Sequence, residues 1–307
     1  MMKTLRHVMA SAALVSTLFV APLAVAQTAA PAAIPQAEGQ GPAMWVIRDA
    51  DSTLYLFGSF HFLRPDTKWG QAHVDAAFAS ADEIWFEATD VDDAAQAMQL
   101  MQTYGLSPDR PLSSVLKPED IAALNAALAP MGATAAAFDP MRPWLVSLQL
   151  AVVQLTAAGF DPNSGVDKVM LARAASLGKP AKGLESMAEQ IRIFSGISEQ
   201  GQVEMLRGTL KDLDKGPAEV EALLAAWATG NTEVMGREMI DKMKAEQPEA
   251  YEALFTRRNA NWTRQIKTIL DGSGTAFVVV GAGHLVGQDS VQSMLAAEGI
   301  TAERVTH

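Results

Sequence analysis

Residues 276–287, AFVVVGAGHLVG, constrain the fold of this chain more than any other stretch. A continuous apolar run of strand length, without polar alternation, is a strand covered on both faces, and such strands belong to parallel sheets flanked by helices. The run ends in Gly-Ala-Gly-His, so a histidine stands where a buried strand passes into a loop. Residues 53–61, TLYLFGSFH, repeat the arrangement more than two hundred residues earlier. Both read Gly-x-x-His after an apolar strand. In α/β folds, sites are built at the carboxyl ends of the strands. The pair therefore points to one cleft served from both ends of the chain.

The rest of the chain arranges itself around these anchors. MWVIRDADSTLYLFGSFH reads as a β-hairpin with strands at 45–48 and 53–58. A helix is expected over 71–80, and a short strand over 83–88, EIWFEA, which ends in an acid. Apolar residues then recur at helical spacing over 92–104, 117–128, 142–158, 165–177, 198–213, 220–228, 232–244 and 249–270. Pro, Gly and Asp separate these segments. A strand over 179–184 interrupts them and runs directly into Glu185. A helix over 288–298 and a strand over 302–305 close the chain. The expected fold is α/β, with a central mixed sheet built from both chain ends and a large helical middle subdomain. One domain is expected over 43–307, since no sharp linker divides it.

The amino end has another purpose. Lys3 and Arg6 precede an apolar stretch over 8–23, and Ala24-Val25-Ala26 satisfies the small-x-small cleavage rule. Residues 1–26 therefore read as a signal peptide cut between Ala26 and Gln27. Residues 27–42, rich in Ala, Pro, Gln and Gly, read as a flexible leader. The expected location is the periplasm or the exterior, with no stable membrane anchor after cleavage. A net charge of −11 argues against nucleic acid as a partner. The absence of cysteine removes disulfides, thiolate ligands and a cysteine nucleophile.

Of the five histidines, His7 precedes the cleavage point and His307 is terminal. His73 lies in an amphipathic segment and reads as a surface residue. His61 and His284 remain. Neutral imidazole is a common ligand of first-row metals, and a hydrolytic metal site needs about three protein ligands and an open position. Glu87 and Glu185 each follow a strand, so four strand ends would present His61, Glu87, Glu185 and His284. The alternative for either acid is a bridge to arginine or a helix cap. Arg258 and Asn259, in RRNANW, could pair with a site carboxylate, grip a substrate carbonyl or carboxylate, or orient a ligand; the alternative is a solvated helix face. HExxH, GxSxG, P-loop and EF-hand patterns are absent.

These pieces together resemble the TraB/PrgY/GumN family, which includes the Tiki proteins of animals, and most closely its exported GumN-like bacterial branch. The resemblance rests on MWVIRDADSTLYLFGSFHFL, Glu87, SGVDKVMLARAASLGKPAKGLESMAEQ, AAWATGN, RRNANW and FVVVGAGHLVGQDSVQSMLAAEGITAERV. It implies a fold similar to erythromycin esterase and the haem-associated ChaN proteins. It also implies metal-dependent proteolysis of the Tiki kind, with the two motifs matching Gly58–His61 and Gly281–His284. The family's strand-end acid then matches Glu87, its helical Arg-Asn pair Arg258 and Asn259, and its GLE segment Glu185.

The expected function is an exported peptidase-like hydrolase acting on a peptide or small-molecule substrate. A divalent metal (manganese, cobalt or zinc) would be held by His61, His284 and Glu87. Glu87 or Glu185 would act as the base, with Arg258 and Asn259 in support. The alternatives are metal-free hydrolysis by a His/Glu general base, or a non-catalytic peptide- or haem-binding protein.

Overall fold

The structure, a computed structural model, describes residues 34–215 and 218–306. The expected signal peptide and the first part of the leader lie outside the described residues. From Ile34 onward the leader is not a free tether. The Pro35 carbonyl accepts from the N–H groups of Trp69 (2.9 Å) and Gly70 (2.8 Å), and Ala37 N–H donates to Gly70 O (2.9 Å). Gly41 and Pro42 are buried. Composition suggested mobility, but backbone groups need no particular side chain to pair with a neighbouring segment.

Six strands form the sheet: β1 (Met44–Arg48), β2 (Ser52–Ser59), β3 (Glu83–Phe86), β4 (Ala181–Gly183), β5 (Gly274–Gly281) and β6 (Glu303–Arg304). Their spatial order is β4-β3-β5-β2-β1-β6. β4, β3, β5 and β2 run parallel, whereas β1 is antiparallel to both β2 and β6. The sheet is therefore mixed and drawn from both chain ends, with only the three-residue β4 coming from the middle.

The apolar run expected to be covered on both faces is covered on both faces. Phe277 and Val279 of β5, with Phe57 and Phe86, pack under helices Ala72–Ser80 and Val166–Ser176. Ala276, Val278 and Val280 turn to the opposite face, against Trp262, Ile266 and Leu270 of helix Arg257–Leu270 and Leu295 of helix Val291–Ala297. Two helical layers thus exclude water from a strand that has no polar face to offer it.

The helical middle carries a core of its own. Leu124, Leu128, Trp144, Val146, Leu150, Leu206 and Leu210 meet where helices Pro118–Leu128, Pro143–Ala157 and Glu199–Lys215 pack. One helix, Met187–Gly196, was missing from the periodicity reading. Its signal was present as a capping box: Ser186 N–H donates to Glu189 Oε2 (2.7 Å) and Glu189 N–H to Ser186 Oγ (3.2 Å). The long helix expected over 249–270 is interrupted by a π turn, Glu252–Thr256, and that over 232–244 by another, Gly236–Asp241. No helix among the described residues is long and apolar enough to cross a membrane.

An ion pair fastens this helical unit. Asp120 takes Arg207 Nε at 2.9 Å and Nη2 at 2.7 Å, and accepts from Lys117 N–H at 3.0 Å. These bonds, with Arg207 foremost, hold its carboxyl below the ordinary aspartate value of 3.8. A depressed folded-state value stabilises above the unfolded-state pKa, and the contribution disappears as pH falls through the folded one. Arg207 is 38% exposed, so screening reduces the effect, and Asp120→Ala should cost about 1–2 kcal/mol at pH 7. Urea midpoints of wild type and variant should converge as pH falls below the ordinary aspartate value of 3.8 and through the lowered one. A gap that persists there would mean packing, not charge, is responsible.

Candidate active site

The strand register brings the predicted residues together. Ser59 of β2 lies opposite Gly281 of β5, and Phe86 of β3 opposite both Val279 and Gly183. The four parallel strands end at one edge, and His61, His284, Glu87 and Glu185 follow within three residues of those ends. Backbone pairing continues past the strands, with Glu185 N–H donating to Glu87 O at 2.8 Å. His73 is half-buried rather than surface, and does not line the cavity described below.

Arg258 binds the two acids. Its Nε lies 3.1 Å from both oxygens of Glu185, and its Nη2 2.9 Å from Glu185 Oε2 and 2.7 Å from Glu87 Oε2. Its Nη1 donates to the Leu254 carbonyl (3.3 Å) in the π turn and to His284 Nε2 (3.2 Å). A guanidinium has five N–H groups, and acceptors are present for all of them. The side chain is 12% exposed and lies over the Trp262 ring, 4.6 Å from its centroid. Arg258 is therefore neither a solvated helix residue nor free to grip a substrate carboxylate. It positions Glu87 and Glu185. Burial alone would raise the Glu87 pKa, but positive neighbours, Arg258 foremost, hold it at about 2. Burial likewise works against the charge on Arg258, and the two glutamates outweigh it. Glu185 faces a separate cavity of about 390 Å³ beyond the guanidinium, which does not suit the role of base expected for it.

The two imidazoles are held alike. His284 Nδ1 lies 2.6 Å from Asn259 Oδ1, and Asn259 Nδ2 donates to the Asp289 carbonyl at 2.7 Å. That second bond fixes the amide orientation, so Nδ1 carries the proton and Nε2 presents its lone pair. Arg258 and Asn259 diverge along the helix, yet they reach opposite edges of this one ring. Phe255 and Trp262 flank it, with centroids at 4.8 and 4.4 Å. Burial pushes its pKa down to about 3, so it is neutral at ordinary pH. His61 Nδ1 pairs with Asp167 Oδ2 at 2.8 Å, and Ser59 Oγ donates to Asp167 Oδ1 at 2.7 Å. The His61 side chain keeps 60% of its surface open. Its pKa is raised to about 9, chiefly by the Asp167 carboxylate.

Gly281 marks the point of convergence. A Cβ there would lie 3.0 Å from Glu87 Oε1, 3.5 Å from His284 Cδ2 and 3.9 Å from His61 Nε2. The glycine is needed for space rather than for a left-handed turn, since its φ is −51°. The three side chains border one cavity of about 240 Å³.

Asp167 was missed in the sequence. An aspartate in the first turn of a helix reads as a partner of the helix dipole, and its true partner is 106 residues away. The local device that joins them is Gly165. A Cβ at this position would lie 2.1 Å from the His61 carbonyl oxygen, a backbone atom that cannot swing aside. Gly165→Ala should therefore force the 166–176 helix away from the β2 end, costing about 1–3 kcal/mol as an overpacked site. NMR titration should show the His61 imidazole returning toward 6.5. An unchanged titration would mean that the helix approach does not depend on this glycine.

The donor set can be tested against a metal. Each imidazole has Nδ1 engaged by an outer acceptor, the arrangement that orients metal-binding histidines. His284 Nε2 lies 3.8 Å from Glu87 Oε1. The carboxylates of Glu87, Glu185 and Asp167 outnumber the two positive groups beside them, Arg258 and protonated His61. These donor types suit a divalent cation. The present hydrogen bonding does not yet form a ligand cage, because His284 Nε2 accepts from Arg258, and Glu87 Oε1 accepts from Gly281 N–H at 2.6 Å. Among the described residues no group of three or more His, Asp or Glu side chains is placed so that it could hold a metal ion as the chain stands.

The architecture defines an α/β protein whose strand-end histidines and glutamates are assembled around one buried arginine. The chain belongs to the TraB/PrgY/gumN family, whose sequence profile matches residues 43–304. It is also similar to an uncharacterized protein of Treponema pallidum (strain Nichols), at 22% identity over 264 residues, covering 80% of this chain and 78% of that protein. No solved structure matches significantly.

Proposed function

We propose that the cavity is the active site of an exported hydrolase of amide or ester bonds, in the simplest form a peptidase, working with a divalent cation held by His61, His284 and Glu87. One observation carries this reading. Two imidazoles, each tied through Nδ1, turn toward one small space beside an ionised glutamate. A cation bound there would acidify water and polarise a carbonyl. Asp167 fixes the His61 ring, and because it also raises the imidazole pKa to about 9, a cation would bind Nε2 only by displacing its proton. Asn259 fixes the His284 ring as a neutral partner. Arg258 keeps Glu87 charged and in place, and must release His284 Nε2 for that nitrogen to bind anything else. The basic and apolar amino end supports export.

A metal-free reading has its own support in the His61–Asp167 pair, which resembles the orienting half of a hydrolase triad. It lacks a ready base, because Glu87 and neutral His284 bind protons weakly and His61 is already protonated at neutral pH. Titration calorimetry with manganese, cobalt and zinc separates the two. Wild type is expected to bind one equivalent, and His61→Ala and His284→Ala should each lose at least about 100-fold in affinity. Chelator should abolish peptide hydrolysis. Full activity in metal-stripped protein would transfer the mechanism to His61 and Asp167 alone.

A further inference from the structure

The lining of the 240 Å³ cavity is of two kinds. Ser59, His61, Glu87, Arg258 and His284 are polar. Phe60, Phe194, Met239 and Leu254 are apolar, and each of these four is half-buried rather than buried. Apolar surface left in water beside a reactive site is costly until something covers it. The four come from separate elements. Phe60 lies between Ser59 and His61, Phe194 is on helix Met187–Gly196, and Met239 and Leu254 each sit in a π turn. Phe194 is held in place by stacking on Trp144, with centroids 5.6 Å apart and planes at 18°. Two π turns facing one cavity are notable, because this costly helix register recurs at functional sites.

Size and charge narrow the occupant. The volume is below the about 300 Å³ at which pockets begin to take whole drug-sized molecules, so it suits a single side chain. An acidic side chain here would be desolvated and would face Glu87. We propose that the apolar lining is the specificity pocket of this site, and that the substrate places one apolar side chain, of leucine, methionine or phenylalanine size, beside the bond that is cut. The cleavage part rests on the hydrolytic reading above; the preference for an apolar occupant does not.

Two measurements separate these parts. Ligand-observed NMR with the N-acetyl amides of leucine, phenylalanine and aspartate reads the pocket alone. The leucine and phenylalanine probes should bind at least about 10-fold more tightly than the aspartate probe, and Phe194→Ala and Met239→Gln should each remove most of that difference. The two variants lie on different elements, so a folding failure in one, seen by circular dichroism, leaves the other informative. A mixed peptide library with manganese, analysed by mass spectrometry, reads the reaction, and apolar residues should be enriched about 10-fold next to the cut. Selective binding without cleavage would keep the pocket and remove the hydrolase. Cleavage without apolar enrichment, equal binding of all three probes, or no binding at all would overturn the pocket.

Discussion

Arg258→Ala should lower the melting temperature by on the order of 10 °C. The guanidinium is the common partner of Glu87 and Glu185, whose side chains are 8% and 5% exposed. Removing one partner of a buried ion pair costs about 3–5 kcal/mol, because the remaining charge keeps its burial cost and loses its compensation. For a domain of this size each kcal/mol shifts the melting point by about 2–4 °C. Arg257, the preceding residue, is 73% exposed, and its alanine variant should change stability by less than about 0.5 kcal/mol. The pH dependence should also shift. In wild type Glu87 is depressed to about 2, so its contribution is present above the ordinary value of 4.5 and is lost as pH falls toward 2. Without Arg258 the largest lowering influence on Glu87 is gone and its carboxyl rises from about 2. What stability it still contributes is lost at higher pH than in wild type, and because the folded variant takes up its proton earlier, its deficit narrows as pH falls from 7 toward 5. Thermal melts at pH 5 and 7 test this. A variant that melts like wild type at both would show that the acids are not held by this arginine.

Asp167→Asn is the second substitution with a large expected effect, this time on function. The amide keeps the shape and can still meet Ser59, but it removes the charge that holds His61. The His61 pKa should fall from about 9 toward its ordinary value of 6.5, read by NMR on metal-free protein. On the proposed cation site, metal affinity and turnover should fall about 10–100-fold, the loss typical of outer-shell partners of ligating histidines, with little change in the melting temperature. A loss nearer 10⁴-fold in an activity indifferent to chelator would instead match a triad-like role for the pair. Unchanged affinity, turnover and titration would remove Asp167 from the site.

Much of this could be read from local pattern. A strand buried on both faces has no choice of register period, so 276–281 announced itself as an apolar run, and Gly-x-x-His marked where it and β2 stop. The acids after 83–86 and 181–183 were visible for the same reason: each follows directly on a short strand. What these features share is that cause and consequence lie within a few residues. The helix Met187–Gly196 is legible on the same terms, since its capping box, Ser186 with Glu189, spans only three residues of sequence.

The roles of the polar residues were set at longer range. Nothing near Arg258 shows that it meets Glu87, 171 residues earlier, and Glu185, 73 residues earlier. Only the order β4-β3-β5-β2 and the helix packed over it bring all three together. An arginine with five free donors and an arginine with none have the same sequence. The same holds for Asp167, whose partnership with His61 exists because Gly165 allows two backbones to touch. Strand ends follow from local hydrophobic pattern, which covalent neighbours impose. Hydrogen-bond saturation and burial depend on every chain segment that reaches the same point, and so belong to the folded molecule.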